Sequence, residues 1–497
     1  MKRNLITRWM TLALVLLFGP GPVVFAALPK SEQKSAPFLT RLLPSTEPLD
    51  DPDQDHLLYF PVVFGIPRPL GSLADGWYLM VDDGHLAYRD VPRTYHSFQK
   101  YTYNPIMVAD RPWEGKVIQL FGTVLPGFRM WYSSYNKVWG LIQTLYAESQ
   151  DGLHWSKPSL NNGGSNALFG GQNSGMVSVI HTPQELSKPF KLMVYRGGAF
   201  LGFWSTKGTD TSPYPENPLF YNGGDVAQFY WDPFTESYGG TAKELFSLNG
   251  VPRRAIRFIH SGNFINWANH PVVLSPDALD DQINAGYYTH FYGLSIFPMG
   301  EQYVGLLWVF RARDQAGLYG PVNVQLVSSH DGLNWYREEG NRPPLLDLGP
   351  PGSWDGGQIY TASQLVPVGN ELWLYYSGCN LEHGSSLTAT VCSIGLARAS
   401  YHRLASLRGN GVVLTQSLDP AGIYLHLNYD ASQGSIRVEL LRDGAIISGY
   451  ESQNCLPLLG DSQNQMVTWS GQRDLPEGPY QIKFYLENSA IYAFAVK

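Results

Sequence analysis

Three carboxylates stand in loops that each lead into an apolar run: Glu114 in Asp110-Arg-Pro-Trp-Glu114, Asp225 in Asp225-Val-Ala-Gln228, and Asp355 in Ser353-Trp-Asp355-Gly-Gly-Gln358. Acids presented this way suit the cleavage of a glycosidic bond. That reaction needs one carboxylic acid to protonate the leaving oxygen and a second carboxylate as nucleophile or as base on water. Glu114 follows Trp113, and an apolar neighbour raises a carboxyl pKa toward that of a proton donor. A solvated loop charge is the competing reading of Glu114, a turn-former that of Asp225 and a turn cap that of Asp355. Asp110, Arg254, Glu382 and His383 are candidates for holding sugar hydroxyls. Their plainer alternatives are a structural partner for Glu114, a surface salt bridge and a satisfied loop histidine. Trp113 and Trp354, in the same loops, are candidate sugar platforms, whereas Trp131 and Trp373 read as packing residues. The sequence shows no metal-ligand spacing and calls for no cofactor.

Something must bring loops so far apart in the chain to one place, and a loose internal repeat supplies it. Strands end in Ala147-Glu-Ser-Gln-Asp-Gly-Leu-His-Trp155, in Ile259-His-Ser-Gly-Asn-Phe-Ile-Asn-Trp267 and in Val327-Ser-Ser-His-Asp-Gly-Leu-Asn-Trp335. In each, Ser and Asp or Asn side chains bond the turn backbone, Gly supplies positive φ, and Trp folds back onto the sheet. Trp155 and Trp267 are 112 residues apart, which fits two units of about 50 to 60 residues with a degenerate copy near Ser205 between them. Strand patterns then predict five such units within residues 56–405, the size and order of β-propeller blades. Trp77-Tyr-Leu-Met-Val-Asp-Asp-Gly-His-Leu-Ala-Tyr88 precedes them as a hairpin that closes or caps the ring. Residues 406–497 alternate apolar and polar between Gly, Pro, Asp and Asn turns, as in a small antiparallel β-sandwich. The expected fold is therefore all-β: a five-bladed β-propeller followed by a C-terminal β-sandwich.

Composition agrees with that class. The 497 residues carry 51 Gly, 35 Pro and 13% aromatics but only 15% charged side chains, a profile of short strands and tight turns. A net charge of −7 disfavours nucleic acid and anionic membrane surfaces as partners. Lys2, Arg3 and Arg8, the apolar run Leu12 to Phe18 and the pair Ala26-Ala27 have the layout of a cleavable export signal over 1–27, followed by an extended leader over 28–55. No later stretch is apolar for long enough to span a bilayer. A secreted or periplasmic location follows, in which Cys379 and Cys392 are able to pair and Cys455 is left over.

The whole organisation resembles the five-bladed propeller glycoside hydrolases of the family 32, 43 and 68 type, and most closely the exported bacterial proteins called family 32-like. Val81-Asp-Asp83, Arg111-Pro-Trp-Glu-Gly115, Gly122-Thr-Val124, Arg129-Met-Trp-Tyr132 and Gly434-Ser-Ile-Arg-Val-Glu439 with Gly460-Asp461 carry the likeness. It implies a glycosidase acting on a poly- or oligosaccharide. The Asn-Asp-Pro-Asn-Gly, Arg-Asp-Pro and Glu-Cys motifs of true family 32 enzymes are absent, so no catalytic residue transfers by motif. A non-catalytic glycan-binding propeller is the alternative, and a protein-docking propeller a third class. In a ring, Glu114, Asp225 and Asp355 are expected around one central funnel.

Overall fold

The computed structural model describes residues 73–497 apart from 137–139, 161–163, 170–172 and 222. The signal-like segment 1–27 and the leader 28–55 lie outside the described residues. Apart from one short helix, the regular structure described is all β. The one described helix, Ala278–Ile283, starts at a reciprocal cap: Asp277 accepts from the Asp280 backbone N–H at 3.1 Å, and Asp280 accepts from that of Asp277 at 3.0 Å. No helix among the described residues is long and apolar enough to cross a membrane.

Five antiparallel meanders follow one another along the chain. The first runs through Val117–Leu125, Arg129–Asn136, Leu141–Ser149 and Trp155–Ser156, and the second through Gly175–His181, Phe190–Arg196, Ala199–Ser205 and Ser212–Pro213. Ala227–Asp232, Ser237–Leu248, Val251–Ser261 and Ala268–Leu274 form the third. The fourth comprises Tyr288–Met299, Gln302–Ala312, Val322–Ser329 and Trp335–Tyr336; the fifth is built on Gln358–Thr361, Glu371–Cys379 and Cys392–Ser400. Local chemistry sets the hairpins. Asn249-Gly250 joins two long strands with φ of 52° and 80°, the left-handed pair that matches the twist of a two-residue hairpin.

The recurring turn forms as its side chains dictate. Asp151 Oδ1 accepts from the N–H groups of Leu153 and His154 at 2.8 Å each, Ser149 Oγ accepts from Gly152 at 2.8 Å, and Trp155 Nε1 donates to the Gly152 carbonyl at 3.1 Å. The same set recurs at Ser329, Asp331 and Trp335; at Ser261–Trp267 Asn263 replaces Asp in the Oδ1 and Trp bonds, while Ser261 Oγ accepts from the Asn263 N–H at 3.3 Å.

Apolar residues on both faces of each meander tie it to its neighbours. Trp131 and Tyr146 of the first pack with Val177 and Leu192 of the second; Phe200 of the second packs with Phe229 and Ile259 of the third. Ile256 of the third meets Phe291 and Leu307 of the fourth, and Trp308 and Phe310 of the fourth share a core with Tyr360 and Tyr376 of the fifth. Tyr375 and Leu396 of the fifth then pack with Ile118 and Tyr132 of the first, so the series of cores returns to its start. Gln99-Lys100, from before the first meander, pairs antiparallel with Ala397-Arg398 on the outermost strand of the fifth.

The segment expected to close or cap the ring pairs with the C-terminal strands. Trp77–Leu79 pairs with Gln481–Val496, while Leu86–Arg89 and Arg93–Tyr95 pair with Ala405–Thr415. All three therefore join the eight-stranded sheet that also contains Leu425–Arg442 and Leu458–Met466. The reason is two-sided burial. Tyr78 and Met80 enter the core of that sheet, where Tyr78 stacks on Phe494 at 4.7 Å. Trp77, Leu79 and Val81, on the other face, pack with Phe297 and Met299 of the fourth meander.

Candidate functional site

A Gly-Gly-Asp turn positions the central carboxylate. Gly224 has a φ of 68°, and a Cβ there would lie 3.1 Å from the Cβ and Cε of Lys243, so the turn lies flat on that lysine. The Lys243 backbone N–H donates to the Gly223 carbonyl at 3.2 Å, and Asp225 forms an ion pair with Lys243 Nζ. Asp225 keeps 48% of its side chain accessible, whereas Lys243 keeps 13%.

Residues from two further meanders surround this pair. Lys243 Nζ lies 4.5 Å from the ring centre of Tyr292, and the Tyr292 ring is 5.4 Å from Tyr360 and 5.1 Å from His383. His383 Nδ1 is 2.8 Å from the Leu318 carbonyl, which can only accept, so the proton sits on Nδ1. His383 Nε2 then accepts from the Tyr292 hydroxyl at 3.2 Å. Arg254 donates from Nη1 to the Gly317 carbonyl at 2.9 Å, and its backbone N–H donates to His290 Nδ1 at 3.0 Å. Arg254 has no carboxylate within ion-pair reach among the described residues.

The electrostatics follow from this crowding. Burial pushes the Asp225 carboxyl up, but the charge and hydrogen bond of Lys243, with Arg254 behind, outweigh it and hold the group below the usual carboxylate range. Burial pushes Lys243 down against the pull of Asp225. It also lowers His383, and it takes His290, which faces Arg254 and Arg253, to about 3. The cluster thus holds an ionised aspartate, cations and neutral histidines. An accessible anion held by a buried lysine can act as a nucleophile or as a base; it cannot serve as a proton donor.

The other two sequence candidates do not share a partner with Asp225 or with each other. Glu114 is fully buried: Tyr132 donates to it at 2.6 Å, the backbone N–H groups of Asp110 and Arg111 at 2.9 and 3.0 Å, and Lys157 Nζ lies 2.8 Å away. Lys157 also binds Asp110 at 2.6 Å, which makes Asp110 the structural partner of that cluster. Asp355, 2% exposed, accepts from Lys100 at 2.6 Å, Tyr376 at 3.0 Å and Ser353 at 3.1 Å.

The two tryptophans are held in the wall. Trp113 donates to Asn166 at 2.8 Å and packs on the core between the first and fifth meanders. Trp354 is wedged against Gly378 and Gly395, where a Cβ would come within 2.7 Å of its ring. Glu382 is gripped by both arms of Arg313, with Nε donating at 3.0 Å. Of the nine sequence candidates, Asp225, Arg254 and His383 converge. Lys243, Tyr292, Tyr360 and His290 join them unannounced. Lys243 lies in Thr241-Ala-Lys-Glu244, which reads as an ordinary strand, and the tyrosines read as core.

No family model matches the chain, and no curated protein matches it. Among solved structures it is similar to an N-acetylgalactosamine deacetylase from F. plautii in complex with blood group B trisaccharide, at 16% identity and a TM-score of 0.42, over 64% of this chain and 96% of that one. It is also similar to a β-1,2-mannobiose phosphorylase from Listeria innocua, at 11% identity and a TM-score of 0.44, over 62% and 98%. A glycosyl hydrolase from Bacteroides ovatus aligns at 14% identity and a TM-score of 0.43, over 62% and 94%. Likeness of that degree decides neither fold nor activity.

Proposed function

We propose that the chain is an exported carbohydrate-active enzyme, a glycoside hydrolase, with Asp225 as its nucleophile or base. The observation that carries this reading is the Asp225–Lys243 pair, an accessible ionised carboxylate among Arg254, Tyr292, Tyr360 and His383. The five meanders with their returning series of cores support a five-bladed propeller, in which Asp225 precedes the first strand of the third blade and faces the central funnel. Residues 406–497, with the strands of residues 77–95 added, share one eight-stranded sheet, which this reading takes as the accompanying β-sandwich folded on itself. The bonded pair Cys379–Cys392 supports export, because disulfides persist in oxidising compartments.

The proton donor in this reading is Glu382. It lies next to His383 in the loop that reaches Tyr292, and it acts once the Arg313 fork releases it. The test is a panel of fructans, arabinans, pectic and sulfated polysaccharides, assayed for new reducing ends. Release by the wild type, lost in Asp225→Asn, supports hydrolysis; no release on any of them defeats it.

One observation favours a second reading, a glycan-binding module without turnover. Lysines close off Glu114 and Asp355, and the Arg313 fork holds Glu382, which leaves Asp225 without a second carboxylate free to act where hydrolysis uses two. In that case the wild type binds a glycan of the panel, releases nothing, and Glu382→Gln leaves binding unchanged.

A further inference from the structure

A cavity of about 480 Å³ lies between the outer edge of the fifth meander and the C-terminal sheet, and no step of the proposed reaction uses it. Its volume falls in the range of roughly 300–1,000 Å³ typical of small-ligand sites. Three cations reach it, Lys100, Arg398 and Arg403, against one carboxylate, Glu371. Two of the cations are already neutralised. Lys100 donates to Asp355 at 2.6 Å, and Arg403 donates to Asp461 at 2.6 Å and to Asn428 at 2.7 Å.

Arg398 is different. Its guanidinium lies on the ring of Trp373 at 4.3 Å and that of Tyr101 at 4.9 Å, so its plane is fixed. Its Nε is buried without an acceptor, and its side chain makes no hydrogen bond among the described residues. The nearest carboxylate oxygen, Glu371 Oε2, is 4.0 Å from Nη1 and instead accepts from Trp373 Nε1 at 2.8 Å. The buried Nε is closed to a ligand, but the side chain is 28% exposed, and its two Nη groups, held in a fixed plane, match a two-oxygen acceptor. Gln99, Thr102 and Ser400 add neutral hydrogen-bonding groups, and Tyr101 and Tyr492 add ring faces. Hydroxyl-rich rings with an acidic substituent fit such a lining.

We infer that this cavity is an accessory binding site for a saccharide unit bearing an oxyanion, a carboxylate or a sulfate ester, with Arg398 as its anchor. The saccharide part rests on the proposed function; the oxyanion part rests on Arg398 alone.

Calorimetric titration of the full chain with trigalacturonate, a sulfated galactan tetrasaccharide, neutral galactotriose and sodium sulfate, at constant ionic strength, tests it. At least one acidic oligosaccharide is expected to bind at least about tenfold more tightly than galactotriose and than inorganic sulfate, and which one does so identifies the oxyanion. Arg398→Gln should weaken that binding at least about tenfold while the melting temperature holds. Glu371→Gln, which removes the competing carboxylate, should tighten it, and this variant decides the matter if Arg398→Gln does not fold. Asp225→Asn should leave it unchanged, so a failure of the proposed reaction is told apart from a failure of this site. Equal binding of neutral and acidic sugars, no binding of either acidic sugar, or affinity indifferent to both Arg398 and Glu371 overturns the inference. Binding of inorganic sulfate as tight as that of the sugars overturns its saccharide part.

Discussion

Lys157 Nζ lies 2.8 Å from Glu114, and the two side chains are 3% and 0% exposed, so this is a buried ion pair linking the first strand's entry loop to residues 43 positions later. Removing one partner of such a pair leaves the other charge desolvated. Glu114→Gln is expected to lower stability by about 3 kcal/mol, with Asp110 retaining part of the hold on Lys157. The same variant, assayed where it is folded, should keep near-normal turnover. Urea unfolding and rate assays on one preparation check both statements, and a large rate loss with unchanged stability would return Glu114 to the catalytic set.

Asp225→Asn should behave in the opposite way. Its side chain is half accessible and its loop is fixed by Gly224 rather than by the carboxylate, so the fold should survive. Turnover on a confirmed glycan should fall by about two to four orders of magnitude, the scale of one acid–base group. Near-normal rates in this variant would remove Asp225 from the reaction.

The acid limb of activity should report Lys243. Burial raises the Asp225 carboxyl and Lys243 outweighs it, so Lys243→Met leaves burial less opposed and the pKa rises. If the ionised form is the active one, the acid limb of kcat/KM should move to higher pH. A carbon-13 titration of the Asp225 carboxyl gives the same answer without a substrate. An unmoved limb and an unmoved carboxyl would show that Lys243 does not control the group.

His330 should give stability its own pH dependence. Its Nε2 lies 2.7 Å from buried Asp82; burial disfavours the imidazolium, but Asp82, with Asp331 nearby, outweighs this and raises the His330 pKa. His85, whose ring centre is 4.3 Å from that of His330, is held down at about 3 and stays neutral. A raised histidine pKa contributes stability in full below the unfolded value of about 6.5 and loses it as pH rises through the folded value. Asp82, held low despite its burial, stays ionised over that window. The wild type should therefore lose stability as pH rises above about 6.5, and His330→Asn should flatten that loss; parallel stability-against-pH profiles for both proteins would refute the assignment.

Cys379 and Cys392 face each other on adjacent strands of the fifth meander and close a loop with a separation of 13 residues. Replacing both with serine is expected to cost about 3 kcal/mol, the chain-entropy value for a loop near that length. Thermal melts of the double variant, and of the wild type in reductant, measure it.

Much of this molecule is local chemistry, and the sequence determines it. The Ser149, Ser261 and Ser329 turns, the Asn249-Gly250 hairpin and the alternation of the strands follow from side chains bonding their own backbone within a few residues. The all-β class and the five successive meanders were legible for that reason, as was the approach of Cys379 to Cys392. Tertiary structure decided which charges meet. Glu114, Asp225 and Asp355 look alike in their loops, yet lysines from elsewhere in the chain divide them: Lys157 and Lys100 close off two, and Lys243 holds the third in the open. Lys100 reaches Asp355 across 255 residues, a pairing that depends on a short strand docking on the edge of the fifth meander. Trp77–Tyr88 went to the C-terminal sheet because its two faces fit two different cores, and no window of its own sequence records either one. Charge burial and sheet-edge pairing are long-range terms, so only the assembled chain fixes them.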